Sequence, residues 1–146
     1  MIATESRHRT PRVLTPGKTK AGGSDVDRRL AVLALLRIHG WNSTSFQVLE
    51  RGFSYWFDPE ADACVAYVDT GHAWVAAGAP IAGQANLAFV GKRFIHAARV
   101  AGRRACFFAV EDRFVRSGCM GSMPIGEQPS WDPAQWEEAL AGDRRL

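Results

Sequence analysis

Residues able to do chemistry occur in this chain, but their spacing matches none of the familiar reaction signatures. His8, His39, His72 and His96 are scattered at intervals unlike a metal site. Each reads as structural or solvated: His8 in a polar N-terminal stretch, His39 at a helix end, His72 in a turn. There are three cysteines and no C-x-x-C pair. Cys64 and Cys106 lie in apolar runs, where a reduced thiol acts as a small hydrophobe, and both are expected to be buried. Cys119, between Gly118 and Met120, is expected to be more exposed. The chain has no G-x-x-x-x-G-K-[ST] phosphate loop, no G-x-G-x-x-G, no H-E-x-x-H and no G-x-S-x-G. No metal and no cofactor are expected.

The elements that must position any site can be read in order. Ser24 caps a helix running to Ile38, with Asp25 and Asp27 favourable at its positive end. Val26, Leu30, Leu33 and Ile38 fall near one face, and Val32, Leu35 and Leu36 widen it. Gly40 suits a left-handed stop. Residues 41–50 predict a loop entering a short helix or strand. Strands are expected at 53–57, 64–69 and 73–77, broken by Asp58-Pro59 and Asp69-Thr70-Gly71. The second and third form a hairpin. Both are apolar on both faces, so the sheet is expected to be covered on both sides.

A second helix is expected over 83–100. Leu87, Val90, Phe94, Ala97 and Ala101 recur at helical spacing, and Gly102 follows as a cap. A strand at 105–110, a helical turn at 112–116 and a strand at 123–127 come next. Asp132-Pro133-Ala134-Gln135 starts a last helix reaching about Ala141.

The 146 residues amount to one ordinary domain. The chain has 18 basic and 15 acidic residues. Residues 1–23 hold Arg7, Arg9, Arg12, Lys18 and Lys20 against Glu5 alone, so the remainder is slightly acidic. This first stretch, rich in proline and glycine, reads as a disordered, solvated basic tail, with weak contact to anionic lipid or RNA as the lesser alternative. The body shows no basic excess of the kind a nucleic-acid platform carries. The longest apolar run, Leu30–Leu36, is too short to span a bilayer, and no signal segment precedes it. The default expectation is a cytoplasmic protein. Trp41, Trp56, Trp74, Trp131 and Trp136 suit core packing before an acyl or lipid groove.

The element order is that of acetyltransferase-like folds: α/β, with a mixed, mainly antiparallel sheet flanked by helices. Those enzymes seat a pyrophosphate on backbone N–H groups at a helix start. The corresponding loop here is Gly78-Ala79-Pro80-Ile81-Ala82-Gly83-Gln84. Pro80 removes a donor, and Lys92 and Arg93 come well inside the helix. The framework is present without a coenzyme A grip.

Several stretches carry a more specific resemblance. They are His39-Gly40-Trp41-Asn42-Ser43-Thr44-Ser45-Phe46-Gln47, Tyr55-Trp56-Phe57, Ala66-Tyr67-Val68, Gly78-Ala79-Pro80, Arg104-Ala105-Cys106-Phe107-Phe108 and Ile125-Gly126-Glu127-Gln128-Pro129. In order and spacing, over roughly residues 25–146, they resemble the C-terminal catalytic region of the phosphatidylglycerol lysyltransferase family. The resemblance implies the first of two tandem acetyltransferase-like halves, covering 24–146. The complete enzymes move an amino acid, typically lysine, from aminoacyl-tRNA to a membrane lipid.

Beyond Glu127 the sequence departs from the family pattern, and no catalytic residue is carried over. The matched polar positions that face a possible site are Asn42, Ser45, Gln47 and Glu127. Their plain readings are turn, cap, backbone partner and ion-pair partner of an arginine. The resemblance implies aminoacyl-tRNA and anionic lipid as partners of the intact parent, placed at the inner membrane face. The chain alone is expected to be inactive. A homodimer or a separately encoded second half would cover its missing side. The alternatives are a non-catalytic binding or dimerisation module and a small acyl-coenzyme A N-acetyltransferase.

Overall fold

The computed structural model describes residues 24–126 and Ala134. The basic stretch 1–23, Glu127 and, apart from Ala134, the expected last helix lie outside the described residues. Helix α1 spans Asp25–His39. Ser24 accepts from the Asp27 N–H while the Asp27 carboxylate accepts from the Ser24 N–H, a capping box that satisfies two end donors. Residues Ser43–Leu49 form a 3-10 helix. Strands β1 (Ser54–Phe57), β2 (Cys64–Asp69) and β3 (Ala73–Ala77) follow. A 3-10 turn at Gln84–Asn86 leads into α2 (Leu87–Val100), then β4 (Arg104–Phe108) and the one-turn helix α3 (Asp112–Val115).

The sheet order is β1-β2-β3-β4. The first two pairings are antiparallel, with Trp56 opposite Val65 and Val68 opposite Val75. The third is parallel, with Val75 opposite Cys106. α2 supplies the crossover that a parallel pair requires.

Two cores flank the sheet. On one face, Phe94 of α2 is fully buried among Trp56, Tyr67, Trp74 and Phe107, with ring centroids 5.4–5.8 Å apart. Phe107 passes the contact on to Phe114 of α3 at 4.8 Å. On the other face, Val32, Leu35 and Leu36 of α1 pack with Val48, Tyr55, Cys64, Ala66 and Ile81. The Tyr55 hydroxyl donates to the Val48 carbonyl at 2.7 Å and ties the 3-10 helix to β1.

The structure corrects several expectations. The buried stripe of α1 is Val32, Leu35 and Leu36, whereas Val26, Leu30 and Ile38 are exposed. The cluster beneath α1 draws on Tyr55, Phe57, Cys64, Ala66 and Ala77, so a narrow stripe suffices. Among the described residues the second face is therefore only half covered. Val68 is 42% exposed, Phe108 is 59% exposed, and Cys106, expected to be buried, is exposed beside them. Gly40 does not adopt the left-handed conformation; its φ is −57°. It is needed because a Cβ there would collide with the Leu36 carbonyl oxygen. Gly102 does take the left-handed form, at φ +71°. β4 starts one residue earlier and ends two earlier than expected, because Ala109 turns to φ +54°. Residues 123–126 form no strand. Pro124 offers no N–H to a ladder, and Met123 and Ile125 stay exposed.

Candidate functional site

β3 and β4 run parallel as far as Ala77 opposite Phe108, and the Gly78 N–H donates to the Phe108 carbonyl at 2.8 Å. Beyond that bond the chains separate. One goes through the loop 78–83 into α2, the other through Ala109 into α3. Outside the carboxyl ends of parallel strands is where α/β sheets bind ligands, because loops diverge there and helix starts converge.

An open pocket of about 320 Å³ lies at this divergence, lined by Gln84, Ala85, Ala88, Arg113, Arg116 and Ser117. Its α2 wall is a helix start without a side-chain cap. Among the described residues the Gln84 and Ala85 N–H groups have no backbone acceptor. These donors and the positive end of the helix dipole favour an anion.

The facing wall supplies charge. Arg113 has a side chain only one-tenth exposed. Its Nε lies 3.7 Å from Glu111 Oε2, too far for a hydrogen bond, and finds no hydrogen-bond partner among the described residues. The Arg113 guanidinium stacks on the Trp41 ring, 4.8 Å from its centroid. Arg116 lines the same pocket without an ion pair among the described residues. A largely buried guanidinium ion-paired to Glu111, with Arg116 beside it, suits a phosphate or carboxylate.

The loop 78–83 contributes little to such binding. Pro80 is fully buried in the core. The Ile81 N–H donates to the Cys64 carbonyl and the Cys64 N–H returns the bond, at 2.8 and 3.1 Å. With the Gly78 N–H given to Phe108, two of the loop's donors are spent on the sheet, and Pro80 has none to give.

The expected site residues divide. Asn42 and Ser45 are brought together, but as mutual caps. Asn42 Oδ1 accepts from the Ser45 N–H at 2.9 Å, from Ser45 Oγ at 2.9 Å and from Thr44 Oγ1 at 2.8 Å. Gln47 is exposed on the same 3-10 helix. Glu127 lies outside the described residues. The tie between this segment and the pocket is Trp41, next to Asn42 in sequence and stacked on Arg113. Arg113 and Arg116 were missed in the sequence because a four-residue helix has no periodicity to read. The one available signal was two arginines three apart, the spacing that shares a helix face.

A second groove, about 540 Å³, runs between α2 and β4 and is lined by Lys92, Ile95, Arg99, Arg103, Arg104, Ala105, Cys119 and Met120. Arg103 is engaged by Asp69 at 3.0 Å. Burial pushes the Cys119 thiol above its usual range, and Lys92 opposes this only in part, so the groove does not activate it. Burial likewise raises Cys64. Among the described residues no cluster of His, Cys, Asp and Glu could hold a metal ion, and no helix is long and apolar enough to cross a membrane.

A model of the family described as "Phosphatidylglycerol lysyltransferase, C-terminal" matches residues 33–119. Among solved structures, the chain is similar to the C-terminal domain of a protein assigned as a lysylphosphatidylglycerol synthetase from Agrobacterium fabrum. The identity is 20% and the TM-score 0.54, over 64% of this chain and 29% of that one. It is similar also to the L-PGS of Bacillus licheniformis, at 21% identity and TM-score 0.53, over 60% of this chain and 27% of that one. The chain thus spans under a third of the length of these neighbours. A search of curated proteins found no match.

Proposed function

Because the chain belongs to the phosphatidylglycerol lysyltransferase C-terminal family, we propose that it is one acetyltransferase-like half of an aminoacyl-transfer module, and that it binds the phosphodiester of a substrate without turning it over alone. In the complete reaction a lipid hydroxyl attacks the ester carbonyl of an aminoacyl-tRNA. The amino acid passes to the lipid oxygen, and the tRNA 3′-hydroxyl leaves with the proton. Both substrates carry phosphodiesters.

The observation that carries this reading is the pocket beyond β3 and β4, where Arg113, Arg116 and the uncapped start of α2 converge. The half-module supplies anion binding and orientation. Among the described residues, Asn42 and Ser45 are occupied as caps and offer no placed base. Holding two substrates in attack geometry needs a second wall. An anionic acceptor would draw the chain to the inner membrane surface as a peripheral protein.

The test is flotation with phosphatidylglycerol vesicles against phosphatidylcholine vesicles, run beside a transfer assay with lysyl-tRNA. Binding to the anionic vesicles, its loss in Arg113→Ala/Arg116→Ala and no lipid product from the chain alone are expected. Product formation by the chain alone, or binding indifferent to both arginines, overturns the reading.

A second reading, an association module, is favoured by the half-covered sheet face and by β4, whose outer edge has no partner strand among the described residues. A coenzyme A-dependent acetyltransferase has less support, because the Gly78 and Ile81 N–H groups of the loop are bonded to the sheet and Pro80 has no N–H.

A further inference from the structure

We propose that two copies of the chain pair antiparallel along the outer edge of β4, centred on Cys106, so that the two four-stranded sheets become one. This rests on the association reading above and names the surface and the register.

Backbone bonds fix what β4 offers. The Arg104 N–H donates to the His72 carbonyl, and the Phe108 carbonyl accepts from Gly78. Alternate residues of a parallel strand face the same neighbour, so Arg104, Cys106 and Phe108 spend their backbone groups on β3. Ala105 and Phe107 therefore turn theirs outward. Among the described residues these groups have no backbone partner, and a strand edge with open donors and acceptors is a template for another strand. β4 has no proline or bulge to guard it, and its one charge, Arg104, stands at its end.

The pattern is self-complementary. The register centred on Cys106 is the one that pairs all five residues Arg104–Phe108 with a second copy. Ala105 and Phe107 then exchange backbone hydrogen bonds twice across the two-fold axis. Cys106 meets Cys106 in a non-hydrogen-bonded pair, where Cα atoms stand about 4.5 Å apart. That separation lies within the range a disulfide spans. Arg104 lies opposite Phe108, charged group against exposed ring, at both ends. Ala109, at φ +54°, ends the strand directly after Phe108 and prevents the pairing from running on. These side chains lie on the half-covered face, so the second copy shields the apolar Phe108.

The test uses the full chain carrying Cys119→Ser. Light scattering over a concentration series is expected to reach twice 16.0 kDa. Mild oxidation is expected to link Cys106 to Cys106, and Cys106→Ser to abolish the link. Ala105→Pro removes an outward N–H and leaves the β3 ladder intact, a position an edge strand tolerates. Its circular dichroism should be unchanged and its mass should fall to that of one chain. A dimer that survives Ala105→Pro and gives no Cys106 link overturns this register while leaving association through another surface standing. A chain that stays monomeric throughout overturns both.

Discussion

Against α2 the sheet presents Trp56, Tyr67, Trp74 and Phe107, all packed around Phe94. Against α1 it presents Tyr55, Cys64 and Ala66, then continues uncovered through Val68, Cys106 and Phe108. The two helices differ by one residue in length, 15 against 14. α2 buries Leu87, Val90, Gly91, Phe94 and Ala98, spread along its whole length. α1 buries only the C-terminal stripe Val32, Leu35 and Leu36. Aromatic rings that fill one side completely place the stability there. The other side keeps apolar area available for association, since exposed patches of this kind mark interaction surfaces.

The most severe way to break this comparison is Phe94→Ala. It empties the centre of the ring cluster and should cost about 3–5 kcal/mol in denaturant unfolding. A smaller loss would mean that α2 does not carry the fold. On α1, Leu36→Ala should cost about 3 kcal/mol, whereas Leu30→Ala should stay within about 0.5 kcal/mol. Equal costs would show that the outer half of α1 is covered too, and the contrast would fail.

Gly91→Ala comes next. A Cβ there would stand 2.7 Å from Cys119 Sγ and 3.1 Å from the Phe114 ring. Better helix propensity is outweighed by crowding, for a net loss of about 1 kcal/mol. Adding Cys119→Ala should restore part of it in the same unfolding measurement.

The smallest effect is at Asp69. The Gly71 N–H, then Arg103 and Trp74, hold its carboxyl below the ordinary value of 3.8. The unfolded chain therefore takes up the proton first as pH falls. The stabilising contribution is complete above 3.8 and disappears as pH drops through the lower folded value. Asp69→Asn should be the less stable protein at neutral pH and should converge with the parent on acidification.

Local patterns were legible in the sequence and distant contacts were not. The cap at Ser24, the β2–β3 hairpin and the buried stripe through Leu87, Val90 and Phe94 follow from spacing alone. The buried face of α1 did not, because its aliphatic residues surround the helix and the sheet beneath selects among them. Cys106 sits in an apolar run, yet its face of β4 lies beyond the reach of α1. The resemblance to the family was readable. The arginine pocket was not, since α3 meets the start of α2 only after the intervening β4 has been laid down. Asn42 and Ser45 were readable as caps, and the structure gives them that geometry.

The stacking of Arg113 on Trp41 has an optical consequence. Trp41 is 60% exposed, while Trp56 is buried, so their indoles emit at different wavelengths. The guanidinium that lines the pocket stands 4.8 Å from the centre of the Trp41 ring. An anion drawing that charge toward itself changes the electric field across the indole and with it the colour of its fluorescence. The pocket thus carries its own dye, and occupancy can be followed without adding a label.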